Sequence, residues 1–502
     1  MDAFRALEEA LNRRDWDDVE EQLNSSFFRY LADAPDLLER VFSSVPHEWY
    51  AHPRYAMARA IATAARHPGM VIDPEEQERF RAWVDEQPDP AARDLLGVAQ
   101  ATLRDMLAHG WHDDASALVD DVLVQIRSSS TRSEGFRDIL PSVLLRCGAA
   151  KLLAGDTDAA ASCFADALHW ATLRDEHPYA RYAREHLALV HALNDRYVQA
   201  ATLLDGPIVR SAPGTLRHHL EAAGILARAL VATASLDCGE VERAFSSIDD
   251  DVIAGPFGWI AVHAQTQVAL AEGTTWQMIH AINTSLVADS RRTPPQTIAG
   301  SMIRGDLVAL YQSVDDLRAA ERVITTPGIL RRQDSVITPL ARQALLRGRP
   351  EHALHILRQN ELARAESIPA RHTPAGAVVY AAAELAASQH VSPATLNLAA
   401  TTINHHGAFN ALAQAPAELR PHLFPLIQYD TSRVPAPWAY RERIRLTRRE
   451  REVLNALAAH TTVNEAAAAL HVSTNTAKTH VRALYRKLGA HSRDEALWLG
   501  RD

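Results

Sequence analysis

A hydroxyl residue stands three positions ahead of a carboxylate three times between Leu446 and Leu499: Thr447 with Glu450, Thr462 with Glu465, and Ser492 with Glu495. At that spacing the hydroxyl accepts from the carboxylate residue's amide while the carboxylate reaches back to the hydroxyl residue's own amide. A helix start is the result. A fourth start falls at Ser473, where the residue three on is Thr476 and not an acid. An acid there would repel a polyanion, whereas a bare amino terminus, with free amides and the positive end of the helix dipole, attracts one. The spacing therefore predicts four short helices, the third of them suited to meet an anion.

Periodicity on the third helix agrees. Ala477, Val481, Leu484 and Leu488 recur every three or four residues and share an apolar face, while Asn475, Lys478, Thr479, Arg482 and Arg486 fall opposite. Gly489 suits the position just past the helix end. The turn Leu470-His471-Val472 is short enough to join two packed helices, which predicts a helix-turn-helix with the third helix as reader.

These residues resemble the C-terminal helix-turn-helix of LuxR-type transcription regulators, found also in NarL-type response regulators. The matched positions are Leu446-Thr447, Arg449-Glu450, Val453-Leu454, Glu465, Leu470, Val472-Ser473, Asn475-Thr476, Lys478, His480, Tyr485, Lys487-Leu488-Gly489 and Ser492-Arg493. Ala466 and Ala477 stand where the family carries larger aliphatics, and His460 and His471 where it often has Gly, which thins the small core. The resemblance implies a bacterial regulator that binds double-stranded DNA as a homodimer, with Lys478, Thr479 and Arg482 at the base-contacting positions. RNA polymerase is a further partner that such a regulator can have. Ser473, Asn475, Thr476, Arg486 and Lys487 are placed for backbone phosphates, and His480 has two readings, packing or a phosphate contact. The fourth helix, from Arg493, resembles the family's dimerisation element and offers Ala496, Leu497 and Leu499. That patch is too small to hold a dimer without help from DNA or the rest of the chain.

Charge supports a nucleic-acid partner at this end. The chain of 502 residues carries a net charge of −10, yet residues 441–502 hold 12 Lys and Arg against 7 Asp and Glu. That segment is +5 and the remainder −15. The acidic start, MDAFRALEEALNRRDWDDVEEQL, lacks the basic and apolar blocks of a secretory signal, and no later run reaches membrane-spanning length. A cytoplasmic, nucleoid-associated protein is expected. Cys147, Cys163 and Cys238 have no CxxC spacing and read as buried thiols in a reducing compartment.

Residues 1–428 show no lasting strand-like alternation and read as helix after helix. In LLRCGAAKLLAGDTDAAASCFADAL, Gly148, Gly155, Ala160, Phe164 and Ala167 have the spacing of a tetratricopeptide repeat hinged at Gly155-Asp156. Weaker copies hold Ala188, Asp195, Ala200 and Leu204, then Gly110 with Ala115, Gly239 with Ala244, Asp315 with Ala320, and Gly348 with Ala353. The fold expected is all-α: a tetratricopeptide-like helical solenoid over 1–428, a linker over 429–440 marked by Pro435 and Pro437, and a four-helix LuxR-type unit over 441–502. By analogy with larger regulators of this type, the groove of such a solenoid would hold a peptide, small-molecule or protein effector. The alternative is a protein-interaction scaffold that the basic unit anchors to DNA.

No catalytic set, metal site or cofactor motif emerges. His218-His219, His405-His406 and the pair His352 and His355 have no carboxylate or Cys completing a ligand set, and the acidic pairs Asp17-Asp18, Asp113-Asp114 and Asp249-Asp250 read as solvated faces. Neither a GxSxG elbow nor a GxxxxGK[ST] loop is present. Trp111, Trp170, Trp259 and Trp276 could line a groove, but helical spacing favours packing.

Overall fold

The computed structural model describes residues 2–66, 72–128, 133–173, 177–205, 217–246, 255–288, 293–328, 334–362, 372–438, 446–488, 493, 496 and 497. Its elements are helices, and no strand occurs among the described residues. None of these helices is long and apolar enough to cross a membrane. Contacts divide the chain into two compact units. One holds residues 1–306, 326–330 and 405–410; the other holds 307–325, 331–404 and 411–502. The N-terminal region is an all-helical array, and its connections explain how it is built.

One hinge recurs. At Arg14, Gly110, Gly155, Asp195, Leu236, Asp315 and Gly348 the backbone turns left-handed, with φ between 55° and 91°. After each, the next amide bonds back to a carbonyl five residues earlier, as in Asp156 N to Lys151 O at 2.9 Å and Asp237 N to Ala232 O at 3.0 Å. This closure satisfies carbonyls that the helix end would leave orphaned. An aspartate then often caps the following helix: Asp15, Asp156, Asp237 and Asp316 accept from the amides of Asp18, Ala159, Glu240 and Ala319. Five residues past each hinge lies a small or branched apolar side chain, namely Val19, Ala115, Ala160, Ala200, Val241, Ala320 or Ala353, none more than 1% exposed. Those residues bring the second helix of each pair against its neighbours.

The sequence-based hinges at Gly110, Gly155, Asp195, Asp315 and Gly348 are therefore in place. The copy built on Gly239 and Ala244 is three residues out of register. Gly239 lies inside the helix Cys238–Phe245, and the hinge is Leu236 with Val241 as its buried partner. Spacing from a glycine misled because Leu236 adopts the left-handed turn itself. The hinge at Arg14 escaped the sequence reading for the same reason.

Close approach requires glycine at several positions, Gly148 among them. Helix Thr157–Thr172 packs on helix Glu134–Leu153, and a Cβ on Gly148 would stand 2.4 Å from Cε1 of Phe164. Phe164 is fully enclosed there.

Two smaller expectations are corrected. Cys147 and Cys163 are buried, and burial pushes the Cys163 thiol up to about 11, but Cys238 is only half-buried. Trp259 is packed and Trp170 half-buried, whereas Trp111 and Trp276 are 52% and 62% exposed. The described part of the linker is held by several contacts. Thr431–Arg433 form a 3-10 turn, and Val434 and Trp438 are buried. Arg420 Nη2 donates to the Pro435 carbonyl at 2.6 Å, Trp438 Nε1 donates to the Ala309 carbonyl at 3.1 Å, and the Arg342 guanidinium lies 3.9 Å from the Trp438 ring centroid. Pro435 and Pro437 do exclude helix, but the segment is fastened by its indole. Residues 439 and 440 lie outside the described residues.

Candidate nucleic-acid interface

Both described capping boxes are closed. Thr447 N donates to Glu450 Oε2 at 2.7 Å and Glu450 N to Thr447 Oγ1 at 3.3 Å, which opens the helix Arg448–Ala459. Thr462 and Glu465 do the same for Val463–Ala469, where Glu465 also takes the amide of Thr461 at 3.0 Å. The Ser492–Glu495 pair lies outside the described residues. His471 then turns left-handed with φ 54°, and Val472 N bonds back to Ala467 O at 3.0 Å. That closure swings the chain directly into the third helix, Thr474–Leu488.

A small core holds these helices. Val453, Leu454, Ala456 and Leu457 of the first helix meet Ala466 of the second and Val481 and Leu484 of the third, with Ala496 completing the cluster. Arg493 donates both terminal nitrogens to backbone carbonyls, those of Leu457 and Thr461, just where the first helix leaves carbonyls without amide partners. The core lies entirely within residues 453–496, with Leu446, Val463, Leu470, Tyr485 and Leu497 packed on it.

At the start of the third helix Ser473 Oγ accepts from Thr476 N at 3.2 Å and sits 2.8 Å from Thr476 Oγ1. No carboxylate joins this cap, as expected of an anion-facing terminus. The bond between the two hydroxyls uses one of their protons, so the unspent donors of that turn are the first backbone amides and the other hydroxyl. Lys478, Thr479 and Arg482 are all exposed on the outward face, as are Asn475 and Arg486. Thr479 Oγ1 donates to Asn475 O at 3.0 Å, leaving its lone pairs and methyl outward. His480 is half-buried. Among the described residues Lys478, Arg482 and Arg486 have no ion pair.

Lys487 differs. Its ammonium lies 2.6 Å from Glu450 Oε2 and ties the end of the third helix to the start of the first. The Lys487 hydrogen bond, followed by the Thr447 amide, holds the Glu450 carboxyl below its ordinary range. Nothing in local spacing marks a pair 37 residues apart in sequence. Ala496 is also placed differently from its expected role at a dimer surface. It is fully buried in the unit's own core, and Leu497 is packed against that core. Leu499 lies outside the described residues.

Residues 445–499 match the family model described as bacterial regulatory proteins of the luxR family. Among curated proteins nothing matches the chain. The C-terminal helices are a LuxR-type helix-turn-helix, and the region before them is an all-helical array.

Proposed function

We propose that the chain is a sequence-specific DNA-binding transcription regulator that acts as a dimer on duplex DNA, with a tetratricopeptide-like array that senses a small molecule, peptide or protein. The observation that carries the DNA-binding part is the outward face of the third helix. Lys478, Arg482 and Arg486 are exposed there without acid partners among the described residues, behind a helix start that no carboxylate closes. In a major groove, Lys478 and Arg482 donate to guanine edges, and Thr479 presents a methyl group and acceptor lone pairs. Ser473, Asn475, Thr476 and Arg486 lie at the phosphates on either side, and Lys487 joins them only while also serving Glu450. Two readers in one dimer would address half-sites about one helical turn apart, roughly 34 Å. Leu497 and Leu499 would contribute a small contact between them, with the array supplying the rest.

Selection of bound duplexes from a random pool, run with the full chain beside Lys478→Ala and Arg482→Ala, tests this reading. A paired motif is expected, with preference relaxed at one position by each substitution at a cost of about 1–3 kcal/mol. Binding weakened equally for all sequences would demote both side chains to phosphate contacts. Recovery of no motif by the full chain and by residues 441–502 alone would favour a scaffold.

A further inference from the structure

Two arginines of the helical array have no ion-pair partner among the described residues. Helix Ala92–Ala108 packs on helix Glu134–Leu153, where Gln100 Nε2 donates to Ser142 Oγ at 3.0 Å. Arg104 and Arg146 follow one turn later, each on the face that makes this contact. Nη2 of Arg104 and Nε of Arg146 are sealed from solvent without a hydrogen-bond partner. Neither guanidinium has a hydrogen bond or ion pair among the described residues.

Other cations in the same compact unit show what normally happens. Arg54 lies 2.6 Å from Asp94, Arg181 is 2.9 Å from Glu185, and Lys151 is 2.8 Å from Asp120. Two acids stand within a turn or two of the pair, and both are engaged elsewhere. Asp105 faces His109 at 3.5 Å, and Asp138 accepts from the amides of Phe28 and Arg29 and lies 3.3 Å from His177. Burial, then the charge of Arg146, depresses the Arg104 guanidinium to about 10, with the charge of Asp105 opposing both in part. The two therefore repel each other in a partly dry setting, and Tyr179, 4% exposed, lies close enough to Arg146 to act on its charge. Uncompensated paired cations are costly to fold, and planar guanidinium forks match an oxyanion.

We propose that Arg104 and Arg146 form the anion-binding end of an effector site in the array, taking the phosphate or carboxylate group of a small molecule. A phosphate monoester, with close to two negative charges at neutral pH, matches the two cations better than a carboxylate does. The word effector rests on the sensing reading above; the anion site does not.

The test is thermal melting of the full chain in inorganic phosphate and in succinate, each against chloride at equal ionic strength, beside Arg104→Met and Arg146→Met. Phosphate should raise the array's melting temperature by roughly 3–10 °C near saturation. Each variant should melt no lower than the native chain in chloride, because an unpaired buried charge has gone, and should lose the response. A rise with succinate alone assigns a carboxylate ligand. The site is refuted when neither anion acts beyond chloride, or when the rise survives in both variants; should one variant fail to fold, the other is read in the same way. Operator affinity, measured in the same solutions, separates the two readings. An anion response without a change in affinity keeps the site and removes its sensing role, and loss of DNA binding altogether leaves the melting result standing.

Discussion

Gly148→Ala perturbs the packing of two helices of the array directly. The added methyl would lie 2.4, 2.6 and 2.8 Å from Cε1, Cδ1 and Cζ of Phe164, while ordinary contact begins at about 3.4 Å. The ring must retreat by up to roughly 1 Å, but it is fully buried and rests against His186 with centroids 5.1 Å apart. It has no open side to move into. Overpacking of this kind costs about 1–3 kcal/mol, and with three ring atoms colliding the upper half of that range applies. For a unit of this size the array's transition should fall by roughly 3–5 °C. Melting of the full chain followed by far-ultraviolet circular dichroism reads this, using the transition that carries most of the helix signal because two units need not unfold together. Phe164→Leu removes Cε1 and Cζ, two of the three colliding atoms, so the double variant should be less destabilised than the two single variants combined by about 1 kcal/mol or more. A Gly148→Ala protein that melts with the native chain, or a double variant that is simply additive, would refute the claim that this approach sets the helix packing.

Two further outcomes concern the C-terminal unit. His471→Gly should stabilise it by about 0.5 kcal/mol, since glycine reaches the left-handed turn freely but gives back some of the gain in unfolded-chain entropy. His471→Val should destabilise it by about 1–2 kcal/mol, and the opposite order in denaturant midpoints would mean that the turn is not left-handed in solution. The Glu450–Lys487 pair makes a pH prediction. A carboxyl held below its ordinary value near 4.5 contributes stability above that pH and loses it as the pH falls through the lower folded value. Glu450→Gln should therefore be less stable than the native unit at pH 7, with the gap closing below about pH 4.5; a gap unchanged at pH 3 would remove the charge from the explanation.

How much of this was legible in the sequence follows from the range of the forces involved. Capping boxes, apolar faces and the bare start at Ser473 are rules over three or four residues, so the helix-turn-helix could be read residue by residue. Pairings over long separations could not. Lys487 reads as one more cation on a basic helix until folding brings Glu450 to it, and Trp438 reads as part of a short Pro-containing tether until Ala309 and Arg342 receive it. Ala496 has the size of an interface residue and lies instead in the core of its own unit. The absence of partners at Arg104 and Arg146 is equally invisible in a chain with 62 acidic residues.

The hinges in the array show why a repeat can be evident in structure and faint in sequence. Its backbone demand is a left-handed residue, and glycine meets that demand at Gly110, Gly155 and Gly348, but arginine, aspartate and leucine meet it at the other described hinges. A non-glycine residue there costs on the order of 1 kcal/mol, which the backbone closure and burial of the side chain five residues on offset. The hinge residue can therefore vary, while the buried partner must stay small or branched to let the next helix in. A search keyed to glycine slips to Gly239 and passes over Arg14. One keyed to the aspartate cap and the buried residue four positions after it finds Asp15 with Val19, Asp156 with Ala160, Asp237 with Val241, and Asp316 with Ala320. In this array the side chains that close and cover the turn carry the repeat more faithfully than the residue at its apex.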